Sequence, residues 1–454
     1  MREGLFSRIS RREFVENGFT LALLAGSGLP WLMRPDHLRK GTAVQEGPLP
    51  RQRPGESLGR FFGVQTHFGQ HRAGIDEILD LIKDAGISWI RDEVYWSQVE
   101  KEKGVFRFPP AYDHYLKEAQ ARGIQVLLIL DFGNPAYSVD EKSGPVTEAE
   151  RRAFSRYCGE VVKRYKPFGV RTYEIWNEPN ASTFWKPQPS PEDYARLLDA
   201  AYKACKDADP DATVIGCSTS GTDLEFIGRV LDNGGYRSMD GISFHPYCQP
   251  LAPEKKLLTD ISKLTRISAA KPLWITEMGY PTHVGAAGLD EETQANYAVR
   301  TFLLARTSPA VERVFWYDFQ NDGEDQDEAE FNFGLVRMDR TPKPAYRACR
   351  TMASLVGNLR PADSRLIGNT YLLDFGEGED RLTVIWRLGG AESIDIPCPS
   401  GLYRLIDRDG ESRIVEAKGS SLEVPVSEKP RYLVRAQKIP DGTPRRLTGS
   451  FNPE

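Results

Sequence analysis

The sequence predicts an α/β chain built as a (β/α)8 TIM barrel with a C-terminal all-β sandwich domain. Short β-rich runs alternate with amphipathic helical stretches from Arg60 onward, the pattern of a parallel sheet with helices outside it. Helical periodicity stops after Gly357, where short alternating strands and Gly-rich turns take over. A length of 454 residues exceeds one small domain but suits a barrel plus a small module.

Eight strands are expected in the barrel: Phe61 to Phe68, Trp89 to Trp96, Gln125 to Phe132, Thr172 to Asn177, Thr213 to Ser218, Gly241 to Tyr247, Leu273 to Glu277 and Arg313 to Phe319. Between them apolar residues recur at three and four, as in Ile75, Ile78, Leu79 and Ile82 or Tyr194, Leu197, Leu198 and Ala201. Ser190-Pro191-Glu192-Asp193 reads as a helix N-cap followed by proline, and Thr222 with Glu225 as a capping box stopped by Gly234-Gly235. The sandwich should hold Tyr371 to Phe375, Arg381 to Trp386, Ser393 to Ile396, Tyr403 to Asp407, Ser421 to Val426 and Arg431 to Val434. Gly389-Gly390 and Asp409-Gly410 are its hairpin signals. The expected organisation is a leader and linker at 1–58, the barrel at 59–357, the sandwich at 358–437 and a polar tail at 438–454.

Ser10-Arg11-Arg12-Glu13-Phe14-Val15, followed by a mild apolar stretch from Gly18 to Met33, is similar to a twin-arginine export signal. The stretch is too short for a comfortable membrane span, so an exported protein with no span in its mature form is expected. Pro35 to Ser57 has the composition of a disordered linker. A net charge of -5 with no basic face argues against nucleic acid as a partner. Six cysteines and six histidines are scattered without metal-ligand spacing, so neither a disulfide framework nor a metal is expected, nor any other cofactor.

Chemistry enters at the strand ends. Tyr173-Glu174-Ile175-Trp176-Asn177-Glu178-Pro179-Asn180 and Leu273-Trp274-Ile275-Thr276-Glu277-Met278-Gly279-Tyr280 each deliver a glutamate to the barrel face where catalytic groups gather. Two such carboxylates can break a glycosidic bond, one protonating the departing oxygen and the other attacking the anomeric carbon. Trp176-Asn177-Glu178-Pro179 and Glu277 resemble the catalytic pair of the retaining glycoside hydrolases of clan A. The phrase ending in Asn180, Phe184-Trp185, Phe333-Gly334-Leu335 and Pro342-Lys343-Pro344-Ala345-Tyr346 look most like family 39 and its exopolysaccharide-cleaving relatives, with family 5 as the alternative.

The resemblance implies Glu178 as acid/base, Glu277 as nucleophile and Asn177 on the sugar 2-hydroxyl. It gives Arg91 the task of holding Glu277 ionised, His245 and Tyr247 that of orienting the acids, and Trp316 that of a floor under the sugar. A histidine is expected after strand three in family 5, where Asp131-Phe132-Gly133-Asn134 stands instead. His67 and Asp131 are further candidates for sugar hydroxyls. Tyr95, Trp96, Phe132, Tyr137, Phe184, Trp185 and Tyr280 are candidate stacking platforms. The acidic loop Asp322 to Glu330 lacks the pattern of a calcium loop and reads as a solvated lid. The function expected is hydrolysis of a β-linked oligo- or polysaccharide; a non-catalytic carbohydrate-binding barrel of the cell envelope is the alternative.

Overall fold

A computed structural model describes residues 61–70 and 74–436; the export motif and the polar tail lie outside them. The chain divides into two compact units that meet in sequence between Leu359 and Arg360.

The first unit alternates strand and helix. In order these are β1 Phe62–Gln65, α1 Ile75–Asp84, β2 Trp89–Tyr95, α2 Pro110–Ala121, β3 Gln125–Asp131, α3 Glu148–Tyr165, β4 Thr172–Ile175 and α4 Pro191–Ala208. There follow β5 Thr213–Ser220, α5 Leu224–Asp232, β6 Gly241–His245, α6 Leu257–Ile267, β7 Leu273–Met278, α7 Glu291–Thr307, β8 Val311–Trp316 and α8 Pro344–Val356. The eight strands pair in parallel and close, β8 against β1. Helix α1 turns its apolar stripe of Ile78, Leu79 and Ile82 inward, whereas α7 is buried on nearly every side. The hydroxyl of Tyr194 on α4 donates to Ile175 O and accepts from Cys217 N, tying that helix to β4 and β5.

Helix starts follow local chemistry. Ser190 caps α4 by accepting from Asp193 N, with Pro191 at the first helical position. Thr147 and Glu150 form a reciprocal capping box on α3. At α5 the expected box is displaced by one residue: Asp223 is the cap, and Thr222 donates instead to Asp260. A carboxylate next to the helix dipole outcompetes the hydroxyl for that place.

Inside the barrel, Trp89, Leu127, Ile215, Trp274 and Phe315 form a closed layer of side chains. Strand alternation then sets the inward faces above it, so Arg91 and Glu93 follow Trp89, and Asp131 follows Leu127.

The second unit is antiparallel. Its strands are β9 Pro361–Ile367, β10 Thr370–Phe375, β11 Leu382–Arg387, β12 Glu392–Pro397, β13 Gly401–Asp407, β14 Ser412–Ala417, β15 Ser421–Val426 and β16 Arg431–Arg435. A six-stranded sheet in the order β14-β13-β16-β11-β10-β9 accompanies a two-stranded β12-β15 sheet. Leu372, Ile385, Ile396, Tyr403, Leu405, Val424 and Leu433 are among its core residues. Two strands were not anticipated, β9 Pro361–Ile367 and β14 Ser412–Ala417. Both are mostly exposed edge strands, which lack the apolar alternation that marks a strand in sequence. Asp409-Gly410 does turn the β13–β14 hairpin, but Gly389-Gly390 carries the chain from one sheet to the other, since β12 pairs with β15 and not with β11.

Candidate active site

Arg91 is the hub of the barrel mouth. It is 1% exposed, and its guanidinium donates from Nε to Glu174 Oε2 at 2.7 Å and from Nη2 to Asn177 Oδ1 at 2.8 Å. Nη1 reaches both Gln65 Oε1 at 2.7 Å and Glu277 Oε1 at 2.8 Å. Burial pulls this group toward neutrality, but Glu174 and Glu277 outweigh burial and hold the charge. Residues from β1, β2, β4 and β7 are thereby fixed on one planar cation.

The remaining carboxylate oxygen of Glu277 accepts from Tyr247 Oη at 2.9 Å. Glu178 Oε1 lies 3.0 Å from His245 Nδ1, and that same nitrogen is 3.7 Å from Glu277 Oε2. The other ring nitrogen is 3.1 Å from Thr276 Oγ1 and 3.2 Å from Ser218 Oγ. His245 is thus held on both sides, a satisfied core histidine that also fixes an acid. Carboxylate oxygens of Glu178 and Glu277 and a ring nitrogen of His245 all lie within 4.8 Å of one another.

Irregular backbone aims these groups. Trp176 and Glu178 have φ of 67° and 48°, a region that side chains seldom occupy. Bonds from Trp176 N to Leu130 O and from Glu178 N to Ser218 O hold the turn. The β5–β6 pairing slips between Gly216 and Thr219, and the bulge turns Ser218 toward His245. A second slip between Ile275 and Met278 accompanies Glu277. Gly279 must be glycine, since a Cβ there would lie 1.9 Å from Tyr317 O.

Some expected residues lie elsewhere. Trp316 is fully buried against Phe302 and Tyr280 and donates to Phe333 O, so it is no sugar floor. With Phe315 pointing into the barrel, alternation sends Trp316 toward α7 and returns Tyr317 to the mouth, beside His67, Tyr247 and Phe333. Trp185 is likewise fully buried, packed on Trp176 and Tyr194 under Gly144. Trp96 and Tyr280 are also core residues. Phe132 and Phe184 stack on each other beneath Lys142 Nζ.

Asp131 is fully buried rather than presented on the rim, and neither carboxyl oxygen has a hydrogen-bond partner among the described residues. Burial, then Glu93, pushes its carboxyl well above the usual range, against Arg91 and Lys142. His67 Nδ1 accepts from Gln70 Nε2, which leaves the proton on Nε2, 3.7 Å from Asp318 and 3.8 Å from Asp322. These three offer donor atoms within 4.8 Å of one another, but a protonated Nε2 suits a hydroxyl better than a cation.

Glu174, Gln65, Ser218, Thr276 and Tyr317 were not anticipated. A signal existed for Glu174: an arginine on the inward face of a barrel strand needs a buried anion, and Glu174 interrupts an apolar strand. Ser218 gave none, because only the bulge brings it in.

A family model, Cellulase (glycosyl hydrolase family 5), matches residues 52–321, more than half of the chain. The chain belongs to the clan A glycoside hydrolases. The chain is 30% identical to a family 39 glycoside hydrolase from the gut symbiont Bacteroides cellulosilyticus WH2, with a TM-score of 0.73 over 84% of this chain and 82% of that one. A β-xylosidase of Geobacillus stearothermophilus is 28% identical over 235 residues, 45% of this chain and 46% of that protein. Another from Caldicellulosiruptor saccharolyticus is 26% identical over 267 residues, 54% of this chain and 52% of that protein. The chain spans about half the length of these curated relatives. No helix among the described residues is long and apolar enough to cross a membrane.

Proposed function

We propose that the hydrolase cleaves β-linked oligo- or polysaccharide with retention, by double displacement. The carrying observation is the approach of Glu178 and Glu277, whose nearest oxygens lie within 4.8 Å. Carboxyl groups about 5 to 5.5 Å apart leave room for direct attack but none for an intervening water. The names of the β-xylosidase relatives support a β-linked substrate.

In the first step Glu178 gives its proton to the glycosidic oxygen, and a Glu277 oxygen attacks the anomeric carbon as the C–O bond breaks. The sugar is left as an ester of Glu277. Water then attacks that carbon, gives its proton to Glu178 and releases Glu277, so two inversions restore the starting configuration. Arg91 and Tyr247 hold the attacking carboxylate, and His245 holds the acid. Asn177 Oδ1 is occupied by Arg91, which leaves its amide N–H groups to donate to the sugar 2-hydroxyl. Tyr317 replaces Trp316 as the aromatic wall.

Nitrophenyl β-glycosides and a polysaccharide panel test the reading. Glu277→Gln should abolish turnover, and Glu178→Gln should harm unactivated substrates far more than nitrophenyl ones. A fluorinated, activated β-glycoside should leave a mass adduct on Glu277. Hydrolysis surviving both substitutions, or an inverted product, would refute it; binding without hydrolysis or adduct would mean a carbohydrate-binding barrel.

A further inference from the structure

Positive charge builds on the anomeric carbon in an oxocarbenium-like transition state, so the site needs net negative charge near the nucleophile. Arg91 works against that need. Its Nη1 lies 2.8 Å from Glu277 Oε1, and a lone guanidinium there would cancel the carboxylate. Glu174 Oε2 sits 2.7 Å from Nε of the same guanidinium, with both side chains sealed from solvent.

The groups facing Glu174 leave this pairing undisturbed. The Asp131 carboxyl on β3 is pushed well above the usual range by burial and then by Glu93, and the Cys217 thiol on β5 and the Tyr194 phenol on α4 are pushed upward by burial. Arg91 on β2 is the cation against it. Two carboxylates therefore share one guanidinium, and the cluster of three carries a charge of minus one.

We propose that Glu174 is a positioning residue for the reaction: it takes up the charge of Arg91, so that Glu277 keeps the negative charge that attacks and stabilises the anomeric carbon. Arg91 then orients the nucleophile without quenching it. The inference rests on the retaining reading above.

Glu174→Gln isolates the charge, because the amide oxygen can still accept from Arg91 Nε in the same space. The measurements are the pH profile of kcat/KM on the nitrophenyl β-glycoside that the wild type turns over fastest, and the rate of adduct formation on Glu277. Without Glu174 the arginine bears fully on Glu277, which then protonates only at lower pH. The acid limb should move down by about one pH unit, and the plateau should fall about 10- to 100-fold. Glu174→Asp keeps the charge but withdraws it from Nε, and its acid limb should fall between the two.

A lowered melting temperature with limb and plateau unmoved would make Glu174 merely structural and overturn the proposal. If Glu174→Gln does not fold, Glu174→Asp decides: an acid limb at the wild-type position refutes the inference and a displaced one supports it. A wild type that forms no adduct and turns over no glycoside would instead overturn the retaining reading.

Discussion

Replacing Arg91 by methionine would strand two carboxylates at once. The substitution removes the bonds to Glu174, Gln65, Asn177 and Glu277, of 2.7, 2.7, 2.8 and 2.8 Å, while an unbranched apolar chain fills part of the space. Glu174 is 0% exposed, so water cannot replace the guanidinium there. Removing one partner of a buried ion pair costs about 3–5 kcal/mol. The sign of the pH dependence follows from the same burial. In the variant both carboxyls take up protons more readily when folded than when unfolded, so this contribution to stability is present at low pH and lost as pH rises through their folded pKa values. The deficit against wild type should therefore shrink between pH 8 and pH 5, by at most about 1.4 kcal/mol per pH unit for each group. Urea titration followed by tryptophan fluorescence measures it. Adding Glu174→Gln should recover stability, since one stranded charge is gone. A deficit below about 1 kcal/mol, or one equal at both pH values, would refute the idea that this guanidinium holds the mouth together.

Tyr247→Phe keeps the ring contacts with Tyr317 and Phe333 but deletes the donor to Glu277; kcat/KM should fall about 10- to 100-fold with little change in urea midpoint. Trp316→Ala should cost about 3–5 kcal/mol of stability, whereas Tyr317→Ala should raise KM; the reverse pattern in thermal melts and kinetics would restore Trp316 to the sugar site. Burial lowers Lys343 to about 8, although its ammonium donates to Thr282 and Asn332. Unfolding returns this lysine to its ordinary value, so wild type should gain on Lys343→Met as pH rises from 8, by at most about 1.4 kcal/mol per unit; denaturant titrations at pH 7.5 and 9.5 read the difference.

The eight barrel strands, the helices between them and the sandwich were legible in the chain alone, because each half-buried element writes its period into the residues. The sequence also placed Glu178 and Glu277 at the proper barrel face, since a glutamate ending an apolar strand is visible without coordinates. Edge strands such as Ser412–Ala417 escaped, being bathed on most sides and so free of pattern. The distinction between Trp316 and Tyr317 depended on which face Phe315 takes, and that is settled only when the barrel closes around its inner layer. Ser218 reaches His245 through a bulge, and Glu178 turns into the mouth on a left-handed backbone held by β3 and β5. Side-chain period is a property of one segment; bulges, positive φ and a guanidinium shared between strands are imposed by neighbours distant in sequence, so only the tertiary structure decides them.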